Sequence, residues 1–202
     1  MKEILIATRN QHKFLEMVSI LKELDKNSLF DFLNLNDIKD LPNNYDVLEN
    51  AMFYEGNAII KAIHFGKKTG LITLADDSGL EVEALNGRPG VHSARYINGT
   101  DEDRSQKILT ELENIKAENY KAKYVCVMAI YNPETEKIKT CLGEYAGLII
   151  KEFKGKNGFG YDPVFYNEQL KKTNAEMTQE EKNKVSHRRV ALEKIYKELI
   201  NI

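Results

Sequence analysis

Leu71-Ile72-Thr73-Leu74-Ala75-Asp76-Asp77-Ser78-Gly79-Leu80 is the stretch from which the fold of this chain is read. The apolar run 71–75 predicts a buried strand, and the Asp-Asp-Ser-Gly that follows predicts a turn at its end. Two carboxylates and a hydroxyl are thus expected at a strand terminus. Side chains alternate along a strand, so Asp76 and Asp77 point to opposite sides, and one of them is expected to face a ligand. Asp, Ser and Gly are also ordinary turn residues, so the stretch reads equally as a solvated turn unless the rest of the chain gives the carboxylates a use.

Upstream, the spacing predicts a strand over 2–7. Thr8-Arg9-Asn10-Gln11-His12-Lys13 then leads into an amphipathic helix with Phe14, Met17, Val18, Leu21 and Leu24 on one face. A second strand is expected near 30–35, and a helix over 55–67 ending near Gly66 or Gly70. Downstream, a short strand is expected over 81–85, followed by the turn Asn86-Gly87-Arg88-Pro89-Gly90. Thr100-Asp101-Glu102-Asp103 caps a helix to about 114. Segments 122–131 and 137–150 read as strands around an Asn132-Pro133-Glu134-Thr135 turn. Thr178 with Glu181 starts a helix, and Ser186 starts the last one, with Ala191, Ile195, Leu199 and Ile202 inward. This alternation predicts an α/β fold with a mixed sheet; no fixed-period repeat points to a solenoid or propeller.

With 202 residues, 42% hydrophobic and 30% charged, the chain is expected to form a single domain, 1–202, with one substantial core. A net charge of −2 offers no basic field for duplex nucleic acid, so no nucleic-acid partner is expected. The apolar run near the N-terminus is too short for a signal peptide or a membrane span, so a cytoplasmic protein without a membrane partner is expected. Cys126 and Cys141 lack CxxC spacing and read as small core residues.

Four groups of residues carry potential chemistry. At the first strand-to-helix turn, Thr8, Asn10 and Lys13 set a hydroxyl, an amide and an ammonium beside the free N–H groups of a helix start, a geometry that suits phosphate; Asn10 also reads as a plain cap. Neither GxxxxGK[ST] nor a strand-linked GxGxxG occurs. Glu16, Glu49, Asp76 and Asp77 are the hard oxygen donors that Mg²⁺ prefers when it also holds phosphates, although Glu16 also reads as an i, i+3 partner that orients Lys13. In Gly158-Phe159-Gly160-Tyr161-Asp162-Pro163, glycines free the backbone around a ring able to stack on a base, and Asp162 reads as an acceptor for a purine edge. Lys182, Ser186, His187 and Arg188 add donors at a helix start. No GxSxG, HExxH or zinc spacing is present.

Together these segments resemble the inosine triphosphate pyrophosphatase family, also called Ham1-like. The likeness rests on Ala7-Thr8-Arg9-Asn10 with Lys13 and Glu16, then Gly56-Asn57-Ala58-Ile59-Ile60-Lys61-Ala62, then 74–80. It continues through Gly90, Ser93-Ala94-Arg95-Tyr96, 158–163 and Ser186-His187-Arg188. Ala51 and Phe53 stand where the family usually has glycine and threonine. The resemblance implies a strongly twisted mixed sheet flanked by helices, in two lobes with the active site in the cleft, and a homodimer. It implies Mg²⁺-dependent hydrolysis of ITP, dITP and XTP to monophosphate and pyrophosphate. It further implies that Thr8 to Lys13 (with Arg9, Gln11 and His12) and Lys61 hold the triphosphate, that Glu49 and Asp77 bind metal, and that Asp77 serves as base. Asp76 is left open as a sharer of either role. Ser78 would contact substrate, and Phe159, Gly160, Tyr161, Asp162, Lys182, His187 and Arg188 would form the base and sugar pocket. A pyrimidine-directed Maf-like pyrophosphatase and a silent nucleotide-binding module are the alternatives.

Overall fold

The computed structural model describes residues 1–39, 41–42, 45–115 and 120–202. Its first strand, β1 (Lys2–Ile6), is followed by α1 (Gln11–Leu24) and β2 (Phe30–Asn34). Next come α2 (Tyr54–Thr69), β3 (Ile72–Val82), α3 (Asp101–Glu113), β4 (Tyr120–Asn132) and β5 (Lys137–Ile149). The chain ends with β6 (Phe165–Asn167), β7 (Lys172–Thr173), α4 (Gln179–Val185) and α5 (His187–Leu199). The described strands form one sheet in the order β2-β1-β3-β4-β5-β6-β7. β1 is parallel to both β2 and β3, with Ile6 opposite Leu74, whereas β6 is antiparallel to β5 and β7. The sheet is therefore mixed, as the alternation of patterns predicts. Among the described residues no helix is long and apolar enough to cross a membrane.

The packing sorts into two compact units. One comprises Met1–Asp77, Cys126–Gly143 and Arg188–Ile202. Its core gathers Ile4 and Ile6 of β1, Met17, Ile20 and Leu21 of α1, Leu74 of β3, Met128 of β4, and Ala191, Leu192 and Ile195 of α5. The other comprises Ser78–Val125 and Glu144–His187, with Leu80, Val82, Ile108, Leu112, Tyr124, Tyr161 and Phe165 inside. Helix ends follow local chemistry. Gly70 closes α2 in the left-handed conformation at φ 72°. Thr100 with Asp103 and Thr178 with Glu181 form reciprocal capping boxes at α3 and α4.

Three expectations need correction. β3 does not end at Asp76 but runs on through Asp-Asp-Ser-Gly to Val82. The turn chemistry of this segment is local, and it is overridden by tertiary burial: Leu80 and Val82 enter the second core, and the Leu80 N–H donates to Ser93 Oγ at 2.8 Å. In consequence there is no short strand over 81–85; residues 83–85 form a 3₁₀ turn capped by Asn86 at φ 55°. Ile202 lies beyond the end of α5 and is 37% exposed rather than inward.

Asp25, which follows α1, ties together pieces of the first unit. Its buried carboxylate accepts from the N–H groups of Leu29 and Phe30 and from the Tyr196 hydroxyl, each at 3.0 Å. Burial opposes its charge, but these three donors outweigh it and lower the pKa below the usual carboxylate range. A depressed folded pKa adds stability that is present above the unfolded pKa, near 3.9, and is lost as pH falls through the folded one. Asp25→Ala is expected to remove about 2–3 kcal/mol at pH 7 and to flatten the acid-side loss of stability. Urea unfolding at pH 7 and pH 3 tests this; a variant with the wild-type midpoint at pH 7 contradicts it.

Candidate active site

In the first unit, β3 presents Asp76 and Asp77 to different partners, as strand alternation requires. Asp76 has no exposed surface. Its Oδ2 accepts from Lys13 Nζ at 2.9 Å and lies 3.5 Å from Arg188 Nε. Lys13 comes from the first turn of α1 and Arg188 from the first turn of α5, so one carboxylate gathers two helix starts. Arg188 Nη1 also donates to Glu16 Oε2 at 2.9 Å, both side chains being buried. Glu16 thus pairs with Arg188 and not with Lys13, the partner its helix spacing suggests. Burial works against the charge on Asp76, yet Lys13, Arg188 and Lys61 hold the carboxyl well below its ordinary range. Burial likewise opposes the Arg188 charge, and Glu16 and Asp76 reverse the effect, so the guanidinium stays protonated.

Asp77 faces α2. Asn57 Nδ2 donates to its Oδ2 at 2.9 Å, while Asn57 Oδ1 accepts from the Ala51 N–H at 2.9 Å. One amide thereby aligns the carboxylate and pins the loop that carries Glu49. Lys61, four residues along α2 and hence on the same face, donates to Glu49 Oε1 at 2.7 Å. Burial raises the Asp77 pKa; Asn57, Lys61 and Lys13 pull against it, Glu49 pushes with it, and the net direction is upward. Burial disfavours the Lys61 ammonium, but Asp76, Glu49 and Asp77 surround it and raise its pKa. Burial pushes both aspartates upward; at Asp76 the paired cations reverse it, whereas at Asp77 Asn57 and the lysines do not outweigh burial and Glu49.

The turn before α1 shows a mixture of roles. Asn10 caps the helix, its side chain accepting from the Lys13 N–H at 3.1 Å, and Thr8 Oγ1 accepts from the Asn10 N–H at 3.2 Å. Arg9 donates to Asn36 Oδ1 and to the carbonyls of Pro42 and Tyr45. Gln11 and His12 are exposed on the first turn.

In the second unit, Ser78 is half-buried on β3, and the glycine loop is organised around Asp162. The Asp162 carboxylate, 1% exposed, accepts from the Phe159 N–H at 2.9 Å and Lys182 Nζ at 2.5 Å on Oδ2. Its Oδ1 accepts from Asn174 Nδ2 at 3.1 Å and the Tyr124 hydroxyl at 3.4 Å. A carboxylate offers about four acceptor positions, and four donors reach Asp162, which organises the loop. Gly158 has φ 77°, and a Cβ there would run into this carboxylate. Lys182 Nζ sits 4.7 Å from the centroid of the Phe159 ring, a cation–π contact. The Tyr161 hydroxyl donates to the Ser93 carbonyl at 2.7 Å, so this residue anchors the loop. His187 stacks on Tyr124 at 4.8 Å and 11°. Asp101, at the start of α3, accepts from the Gly160 N–H at 2.6 Å.

Asn57, Asp101, Tyr124 and Asn174 are among the positions to which sequence reasoning gave no site role. Asn57 had a usable signal, its i, i+4 spacing to Lys61; Asp101 and Asn174 meet the loop only through tertiary folding. Among the described residues no three His, Cys, Asp or Glu side chains converge as a metal cage.

The sequence model of the Ham1 family matches residues 4–198. A dITP/XTP pyrophosphatase of Bacillus anthracis is 39% identical over 198 residues, covering 96% of this chain and 95% of that protein. One from Staphylococcus epidermidis is 43% identical over 190 residues, covering 93% and 91%. Among solved structures, a HAM1 protein from Coxiella burnetii is similar with a TM-score of 0.86 at 40% identity, covering 100% of both chains.

Removing one member of a buried ion pair leaves the other charge uncompensated, which costs more than the pair contributes. Arg188→Met is therefore expected to destabilise the chain by about 3–5 kcal/mol, and the double variant Glu16→Gln with Arg188→Met by clearly less. Urea unfolding of the two variants measures the difference; equal losses would show that Glu16 does not depend on Arg188.

Proposed function

We infer that this chain, which belongs to the Ham1 family, is a nucleoside-triphosphate pyrophosphatase acting on dITP, XTP and ITP and removing deaminated purines from the nucleotide pool. The observation that carries the reading is the buried Asp76–Asp77 pair of β3. One carboxylate is pinned as a charge by Lys13 and Arg188, and the other is raised in pKa beside Glu49 and Lys61.

Asp77 and Glu49 fit a divalent ion. They are hard oxygen donors whose mutual repulsion contributes to the raised pKa of Asp77, and Lys61, which donates to Glu49, offsets their charge. Mg²⁺ bound there would neutralise phosphate charge, and it needs one or two protein carboxylates when phosphates complete its shell, so no dedicated cage is required. Thr8, Asn10 and Lys13, with the N-terminus of α1, would hold phosphate oxygens. Water would add to the α-phosphorus, the bond to the bridging oxygen would break to release pyrophosphate, and Asp77 would take the proton from water.

The aromatic loop would supply recognition of the base. Phe159 would stack on it, with Tyr161 and Gly160 shaping the loop and Lys182 beside the ring. Donors of His187 and Arg188 would meet a 6-oxo oxygen. The 6-amino group of adenine would face them donor to donor and leave buried polar groups unpaired. The reading extends to a cytoplasmic enzyme acting as a homodimer, which sedimentation would check; the free thiols of Cys126 and Cys141 are in keeping with a reducing compartment.

Asp77→Asn is expected to lower turnover by about 10²–10⁴-fold with little change in nucleotide affinity. Pyrophosphate release and equilibrium binding measured on the same preparation test this, and near-normal turnover would exclude Asp77 as the base. Hydrolysis of dITP, ITP and XTP should exceed that of GTP and ATP; equal rates on all five would sink the assignment.

A further inference from the structure

Behind Asp162 in the second unit runs a chain of buried hydrogen bonds. Asn167 Nδ2 donates to the Tyr145 hydroxyl oxygen at 2.7 Å, the Tyr145 hydroxyl donates to Asn174 Oδ1 at 3.1 Å, and Asn174 Nδ2 donates to Asp162 Oδ1 at 3.1 Å. Asn167, Tyr145, Asn174 and Asp162 are all buried, between 1% and 8% exposed. Core filling alone does not call for such a set, since each of these polar groups is costly to bury unless it is paired.

The direction of the chain is fixed from one end. An ionised carboxylate only accepts, so Asn174 must offer its NH₂ to Asp162. Its carbonyl oxygen then accepts the Tyr145 proton, and the Tyr145 oxygen accepts from Asn167. Burial raises the Tyr145 phenol above its ordinary range, with Asn167 opposing and Asp162 adding to the effect, so the proton needed for this order stays in place. Without the Asn174 amide, Oδ1 of Asp162 would keep the longer contact from Tyr124, at 3.4 Å. The carboxylate would then be free to turn away from the Phe159 N–H and Lys182 that share its Oδ2.

We propose that Asn174, backed by Tyr145 and Asn167, is a positioning residue for base recognition: it locks the Asp162 carboxylate so that the Phe159 amide and the Lys182 ammonium are held in one place. The inference rests on the reading of Phe159 and Lys182 as residues that bind the base. It assigns a recognition role to a β7-to-α4 segment whose side chains need not touch substrate.

Steady-state kinetics with dITP on Asn174→Ala and Tyr145→Phe, alongside inhibition by tripolyphosphate, test it. Asn174→Ala should raise KM for dITP by about tenfold and Tyr145→Phe by about threefold, with kcat within about threefold of wild type. Inhibition by tripolyphosphate, which lacks a base, should not change. A merely structural role would lower the folded fraction and hence the apparent kcat while leaving KM alone. If Asn174→Ala does not fold, Tyr145→Phe, which keeps the ring, decides the question. Wild-type KM in the folded variants, or a parallel loss of tripolyphosphate binding, overturns the inference alone. A wild-type chain that releases no pyrophosphate from dITP overturns the functional reading and this inference with it.

Discussion

A carboxylate with no contact to water has to be compensated where it stands, and the first unit is arranged around the compensation of Asp76. The two cations that pair with it come from the first turns of α1 and α5, elements far apart in sequence. Arg188 brings in Glu16 as a second buried carboxylate, so charge is balanced over a network. The hydrophobic residues of α1 and α5 fill the core and hold the helices against the sheet, but the ion pairs fix which residue of each helix lies at the strand. A core of Met17, Ile20, Leu192 and Ile195 tolerates small slips; a buried charge without its partner does not.

The second unit uses the same device for a different purpose. Asp162 is as deeply buried as Asp76, yet its partners are mainly neutral donors, with Lys182 as the cation among them. Neutral donors are directional, so they specify the orientation of a carboxylate as well as its charge. The glycines at 158 and 160, both with positive φ, let the backbone turn tightly enough for the Phe159 N–H to reach that carboxylate. Asp101 and Tyr161 then tie the loop to the start of α3 and to Ser93. Flexible residue types therefore give a loop held at several points.

What was legible in the sequence was local. Capping boxes at Thr100 and Thr178, the Gly70 stop and the apolar faces of α1 and α5 are written within a few residues, and, Ile202 excepted, each formed where the pattern placed it. The turn read into Asp-Asp-Ser-Gly was also a local inference and it failed, because burial of Leu80 and Val82 keeps the strand going. The pairing of Glu16 with Arg188 spans 172 residues and leaves no trace in local spacing. Asp162 shows the subtler limit: its residue type identified an acceptor, while its donors, drawn from β4, the glycine loop, the start of a 3₁₀ turn and α4, could be known only from the fold.

The two-residue period of a strand is what allows neighbouring aspartates to do different work. Asp76 and Asp77 are adjacent and both buried, so desolvation pushes both pKa values up, and the partners on the side each one faces decide the net direction. Against Lys13, Arg188 and Lys61 the first is held well below the ordinary carboxylate range; at the second, burial and Glu49 outweigh Asn57 and the lysines and shift it upward. The base of the proposed hydrolysis needs proton affinity, and an anchoring charge must lack it. Had Asp-Asp-Ser-Gly formed the solvated turn its composition suggests, both carboxylates would have had free choice of rotamer and a water shell, and neither environment would persist. Extending β3 through the pair is thus the step that turns two adjacent residues of one type into groups of opposite acidity.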